Sequence, residues 1–298
     1  MNVSVNKRSA SECNAPLQLV VTNEQSILRA QALGSAEAAY KMEGRKNYHS
    51  HFQPTGRYVR RGTVLTVTVE PSVRGLELVI GLYGQYANHN DGKAAARQLV
   101  ALNPGQNRIE ALVDGMVYVQ NRIYNTPATV EIHGGQPVPT YIKGMTSRAD
   151  FDVQVGTWNT APFFVLVGEN VLFDVQMVLA TSLPGLDLDR RIEMMDSVVA
   201  TTNALYGLSK YANDAAHKSA HRIHIINPDV GPGYASATDY HITFQNATAA
   251  GRHLLAGPEN DQWGFYHEVG HTYQMKEFNY RGAIEVTVNI PALAVQEA

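Results

Sequence analysis

Asp261-Gln-Trp-Gly-Phe-Tyr-His-Glu-Val-Gly-His-Thr-Tyr-Gln274 is the stretch on which the reading of this chain turns. Its centre, His267-Glu268-Val269-Gly270-His271, is an H-E-x-x-H segment. Residues four apart share one face of a helix, so both imidazoles reach a single ion. Glu268 follows the first histidine directly, which places its carboxylate beside that ion rather than on it. Two neutral imidazoles and an adjacent base are what metal-assisted hydrolysis of an amide requires. Asn260 or Asp261 is expected to cap the helix, and Gly270 leaves room for another backbone to approach.

A catalytic zinc generally takes three protein ligands, so a third is needed. Glu277 lies at or just past the end of the motif helix, where folding back is awkward. Glu285 follows a turn at Asn279-Tyr-Arg-Gly282 and lies in Ile284-Glu-Val-Thr-Val-Asn-Ile290, where a second helix crossing the first can deliver a carboxylate. Glu285 is therefore the expected third ligand. Asn289, one helical turn later, is expected to hydrogen-bond a ligand histidine. Pro291 is then an unusual residue for the interior of that helix.

The rest of the chain is read by what it adds to this site. With 298 residues, 44% hydrophobic and 17% charged, it has the composition of a soluble globular protein with one large core or two domains. A formal net charge of -3 gives no electrostatic case for nucleic acid. No run approaches the ~18 apolar residues of a membrane-spanning helix. Cys13 is the only cysteine, which excludes an intrachain disulfide and a thiolate-rich metal site. Met1 to Arg8 leads into polar sequence, with no secretory signal visible.

Residues 1–50 are expected as an N-terminal extension. Within them Gln25 to Met42 is expected to be helical, with Leu28, Ala32, Ala36 and Ala39 on one stripe. His49 and His51 are expected in a solvated loop, although their i, i+2 spacing would let them share an ion on a strand. From Tyr58 the apolar period is two. Thr63–Val69, Leu76–Leu82, Asn107–Val113, Met116–Val119 and Ala128–His133 read as short alternating strands of an antiparallel β-sandwich over residues 51–136. His89 and His133 are expected to be structural or solvated. Gly134 to Thr140 reads as a hinge.

Residues 137–298 read as a mixed α/β domain, making the chain α+β overall. Ala161–Val167 and Val171–Met177 form a strand pair joined at Gly168-Glu-Asn170. Asp187 to Leu208 forms a helix capped by Asp187 or Asp189, with Leu188, Ile192, Met195 and Val199 as an ordinary core stripe. Arg222–Ile226 reads as a buried strand in which His221 and His224 pack rather than bind metal. Tyr240–Phe244 alternates next to the motif helix. It is the candidate edge strand for holding a substrate backbone, with Tyr240, Ile242 and Phe244 as substrate-binding candidates.

His267-Glu-Val-Gly-His-Thr-Tyr-Gln274, preceded by Trp263-Gly264 and followed by Glu285-Val-Thr-Val-Asn-Ile290, resembles the M60-like or enhancin metallopeptidases. Their pattern is H-E-x-x-H, a spacer and a glutamate, and thirteen residues separate His271 from Glu285. Pro54-Thr-Gly-Arg-Tyr-Val-Arg-Arg-Gly62 and Trp158-Asn-Thr-Ala-Pro162 extend the likeness upstream. The resemblance implies a sandwich followed by a gluzincin-like zincin catalytic domain, with Zn²⁺ on His267, His271 and Glu285 and Glu268 as general base. It implies secretion and a mucin-like, O-glycosylated polypeptide substrate. Relatives continue past the glutamate into a helical subdomain, so the C-terminal subdomain here is expected to be truncated. Two other readings stay open: a glycan- or mucin-binding protein with a vestigial metal site, and a zinc peptidase acting on non-mucin peptides.

Overall fold

The computed structural model describes residues 17–71, 73–93, 97–123, 126–212, 214–255 and 262–298. Cys13, the Met1–Arg8 segment and the expected caps Asn260 and Asp261 lie outside them. Helices and strands mix in an α+β architecture. No described helix is long and apolar enough to cross a membrane.

The N-terminal half is built from β1 (Gln18–Val21), β2 (Gln25–Ala30), helix α1 (Ala36–Met42), β3 (Gln53–Val59), β4 (Val64–Glu70), β5 (Leu76–Gly81), β6 (Gln98–Ala101), β7 (Gly105–Glu110), β8 (Gly115–Asn121), β9 (Ala128–His133) and β10 (Gln136–Pro137). Among the described residues they form two five-stranded sheets, ordered β1-β2-β9-β4-β7 and β10-β3-β8-β5-β6, and every pairing is antiparallel. Period-two patterning explains the layers: Leu65, Val67 and Val69 of β4 meet Leu78, Ile80, Val117 and Val119 of the other sheet in one core. Burying such side chains stabilises by about 25 cal/mol per Å² of apolar surface removed from water.

Four expectations are corrected here. Residues 25–42 are a strand and a short helix, not one helix. Ser26, Leu28 and Ala30 point inward at period two while β2 pairs with β9. Gly34, at φ +75°, then turns the chain into α1, which Ser35 caps through Ala38 N–H. The same pairing places residues from Gln18 onward inside the first sheet rather than in an extension. His49 and His51 are buried, not solvated, and turn to different partners: His49 Nε2 lies 3.2 Å from Thr272 Oγ1, and His51 Nε2 accepts from Ala36 N–H at 3.0 Å. Residues 134–140 are also packed rather than hinge-like, since β10 pairs with β3 and Val138 is buried.

The C-terminal half comprises β11 (Thr140–Ile142), helix α2 (Arg148–Thr157), β12 (Phe163–Val167), β13 (Val171–Gln176), α3 (Leu188–Leu205), β14 (Ile223–Ile226), β15 (Ala235–Thr238), β16 (His241–Phe244), α4 (Ala249–His253), α5 (Trp263–Tyr273), α6 (Ile284–Thr287) and α7 (Asn289–Glu297). Its six-stranded sheet is ordered β11-β12-β13-β14-β16-β15, with β15 antiparallel at one end. Both faces are buried, which accounts for the near-continuous apolar runs. Phe163, Val165, Val167, Leu172 and Ile226 face the N-terminal core. Phe164, Leu166, Phe173, Ile225 and Ile242 face the helices, against Ile192, Met195 and Val199 of α3 and Val269 and Tyr273 of α5. Asp187 caps α3 by accepting from Arg190 N–H. His221 and His224 are buried as sheet packing requires, and His224 Nε2 lies 2.7 Å from Asp174 Oδ2, which also accepts from the Tyr118 hydroxyl of β8. His89 is buried against Tyr58, and His133 is exposed beside Glu131.

Just past α1, the Glu43 carboxylate is buried between Arg45 Nε at 2.6 Å and Lys218 Nζ at 3.4 Å, and it accepts from Ser219 N–H. Burial raises a carboxyl group, but the Lys218 and Arg45 cations and the Ser219 donors outweigh it and hold Glu43 at about 2. Its contribution to stability is therefore present above the ordinary value of 4.5 and lost as pH falls toward about 2. Glu43→Gln leaves Arg45 and Lys218 facing each other in the interior. It is expected to cost roughly 3 kcal/mol and to flatten the acid limb of stability, as read by chemical denaturation across pH.

Candidate metal centre

Helix α5 begins after Gln262, whose side chain makes no capping bond. Its inner face, Phe265, Val269 and Tyr273, packs on the sheet, which turns His267 and His271 toward the segment that follows. That segment is two helices rather than one. α6 ends at Thr287, Val288 links it to α7, and Pro291 is the third residue of α7. Proline is tolerated there because a first-turn N–H has no intrahelical acceptor. The expected continuous ligand helix is thus corrected to a broken one.

α5 and α7 approach closely at Gly270. A Cβ there would meet Val288 O at 2.9 Å and Pro291 Cγ at 3.0 Å, so glycine permits the contact. The approach carries Glu285 to the two histidines. Glu285 Oε2 lies 3.0 Å from His267 Nε2 and 3.3 Å from His271 Nε2, and the two Nε2 atoms are 3.1 Å apart. Among the described residues this is the one group of three such side chains placed to hold an ion. Glu277, in the exposed turn Lys276–Phe278, is not part of it.

The outer nitrogens settle the tautomers. His267 Nδ1 is 3.1 Å from Asn289 Oδ1, and His271 Nδ1 is 2.9 Å from Gln274 Oε1. Each amide's orientation is set independently: Asn289 Nδ2 donates to Glu285 O, and Gln274 Nε2 donates to Ile284 O and Thr287 Oγ1. Oxygens therefore face both Nδ1 atoms, which carry the protons, leaving both Nε2 lone pairs inward. Two such lone pairs and a carboxylate oxygen repel one another at this distance, and a cation between them turns the repulsion into attraction. Ligand atoms around a tetrahedral zinc, with bonds of about 2.0–2.1 Å, are roughly 3.3 Å apart, so the donor set fits that ion in type and spacing. Asn289 stands where the sequence placed it. Gln274 is a partner the sequence reading does not single out; its place three residues after His271, at the end of the helix, is the signal for it.

Glu268 is 6% exposed, and its Oε2 has no hydrogen-bond partner among the described residues. Burial first, then the Glu285 carboxylate, pushes it up to about 8. Burial likewise lowers His271, keeping the imidazole neutral as a ligand requires.

The expectation that Tyr240–Phe244 is an edge strand is corrected, since this strand lies inside the sheet. β16 is paired on both sides, with β14 and β15, and Ile242 and Phe244 are buried in the helix-side core. Tyr240 sits in the turn before it, with its hydroxyl donating to Glu37 Oε1. The strand at the end of the sheet, and alongside α5, is β15.

Residues 134–298 match peptidase M60, enhancin and enhancin-like, and residues 34–133 match the N-terminal domain of M60-like peptidases. The chain belongs to the M60 peptidase family. No curated protein sequence matches it. A functionally unknown conserved protein from Bacillus anthracis is similar at 26% identity and a TM-score of 0.82, covering 92% of this chain and 56% of that one. The catalytic module of the metalloprotease ZmpA from Clostridium perfringens is similar at 20% identity, with a TM-score of 0.74 and coverages of 93% and 58%. The M60 catalytic domain of ZmpC from the same organism, solved with the sialyl T antigen, gives 16%, 0.73, 91% and 56%. The last two likenesses are of fold. The chain spans a little over half the length of these three structures.

The M60 centre depends on the Gly270 contact. Gly270→Ala is expected to cost about 1–3 kcal/mol in chemical denaturation, because the backbone of Val288 cannot yield as a flexible side chain can.

Proposed function

We propose that this M60 chain is a zinc-dependent endopeptidase that cleaves mucin-like, O-glycosylated polypeptides outside the cell. The observation that carries the proposal is the convergence of His267, His271 and Glu285, beside the buried carboxylate of Glu268, whose Oε2 has no hydrogen-bond partner among the described residues. His267, His271 and Glu285 would hold Zn²⁺, in the manner of a gluzincin-like domain behind a β-sandwich. When bound, the ion supplies Lewis acidity, polarising the scissile carbonyl and acidifying the attacking water.

The chain's own residues account for the remaining chemistry. Asn289 and Gln274 hold the two imidazoles in the tautomer that presents Nε2, and fix their planes. Glu268 takes the proton of the attacking water and gives it to the leaving amine; a cation held by His267, His271 and Glu285 would favour the ionised carboxylate that this role needs and that burial alone disfavours. β15, rather than β16, offers its outer edge to an extended substrate, which would lie antiparallel to it and beside α5. A mucin-type substrate is supported by the sialyl T antigen held by the ZmpC domain of like fold.

Glu268→Gln is expected to retain one zinc per chain, by metal analysis, while cleavage of a glycosylated mucin falls by at least about 10³-fold. Retained turnover would overturn the proposed role. Gln274→Ala, which frees His271 Nδ1, is expected to weaken zinc binding roughly 10–100-fold in a competition titration with a chelator.

A further inference from the structure

Residues 34–51 of the N-terminal half pack against the C-terminal half, and two consecutive residues of this segment touch two different walls of it, the β15–β16 turn and helix α5. The Tyr48 N–H donates to Asp239 Oδ1 at 3.2 Å, and the Tyr48 carbonyl accepts from Tyr240 N–H at 2.9 Å. The Tyr48 and Tyr240 rings lie 5.0 Å apart. Asp239 and Tyr240 form the turn between β15 and β16. His49 turns instead to α5, where its Nε2 is 3.2 Å from Thr272 Oγ1 and its ring 5.4 Å from that of Tyr273. Thr272 directly follows His271.

The contacts at the turn oppose a local preference. Tyr240 has φ +74°, a left-handed conformation that a bulky side chain adopts only when its surroundings hold it there. Here the Tyr48 carbonyl holds its N–H and the Glu37 carboxylate holds its hydroxyl at 3.0 Å. At the other wall, His49 is 1% exposed, and burial with the Arg45 and Lys218 cations holds it well below the usual imidazole range. It stays neutral near pH 7, so its bond to Thr272 does not come and go with protonation.

We infer that Tyr48-His49 ties the edge strand β15 to the metal helix α5, making Asp239, Tyr240 and His49 positioning residues that set the width of the substrate cleft. The tie rests on contacts alone; its reading as a cleft gauge rests on the proposed peptidase function. None of the three residues belongs to the His267, His271 and Glu285 group. They act through the hairpin and through the end of α5.

The test uses the zinc-loaded full chain and two readouts. Amide hydrogen exchange in His49→Ala is expected to quicken roughly fivefold across residues 235–244, on the far wall. In Asp239→Ala the same is expected across residues 269–273, as loss of one buried hydrogen bond allows. His49→Gln, which keeps a polar group facing Thr272, takes the place of His49→Ala should the latter not fold. Exchange that quickens only on the mutated side overturns the tie. In turnover of an extended mucin peptide, Asp239→Ala is expected to raise KM about fivefold with kcat within about twofold, and Asp239→Asn, which keeps the acceptor, to restore it. Equal KM values for the alanine and asparagine variants overturn the gauge. A chain that cleaves nothing yet shows crossed exchange overturns the peptidase reading and leaves the tie standing.

Discussion

The approach of α7 to α5 at Gly270 is the constraint on which the centre depends. A histidine pair on one helix face supplies only two donors, and the third arrives from a segment fourteen residues further on. Glu285 reaches Nε2 of both rings because the Val288 carbonyl can lie where a side chain on residue 270 would be. The break between α6 and α7 is part of the same solution. It lets Pro291 occupy a first turn, while Asn289, at the start of α7, bonds both the Glu285 carbonyl and His267.

The donors are oriented as well as gathered. Gln274 joins His271 to the backbone of Ile284 and the hydroxyl of Thr287, so a single amide links the end of α5 to α6. Glu268 belongs to the same motif but has the opposite surroundings: where the ring nitrogens are satisfied on their outer side, its Oε2 is buried without a partner among the described residues. The proposed ligands are held and the proposed base is desolvated, and the H-E-x-x-H spacing allows both because adjacent helix positions face different environments.

Around this centre the two halves share structure. The six-stranded sheet buries one face on the N-terminal core and the other on α3 and α5, so the metal helix rests on a support that the N-terminal half helps to hold. Residues 34–51 add direct contacts with α5, the β15–β16 turn and Lys218. That explains why His49, which is not part of the ion-holding group, is among the most buried histidines of the chain.

Local periodicity made much of this legible. His267 and His271 share a helix face because four residues make about one turn, and β4, β5 and β9 alternate because successive strand residues point to opposite faces. Asp187 capped α3 where its position before an apolar stripe indicated. Each of these follows from residues within one turn or one strand of each other. The failures share the opposite character. Residues 25–30 formed a strand because β9, a hundred residues away, was there to pair with them. β16 was interior because β15 came to lie outside it, an ordering with no sign in either strand. His49 and His51 were buried by elements from the far end of the chain. The sequence by itself determined which side chains could meet an ion and that Asn289 could hold one ring; the tertiary structure alone decided which strand formed the edge, that Gln274 held the other ring and what closed over His49 and His51, because those depend on partners that local pattern does not encode.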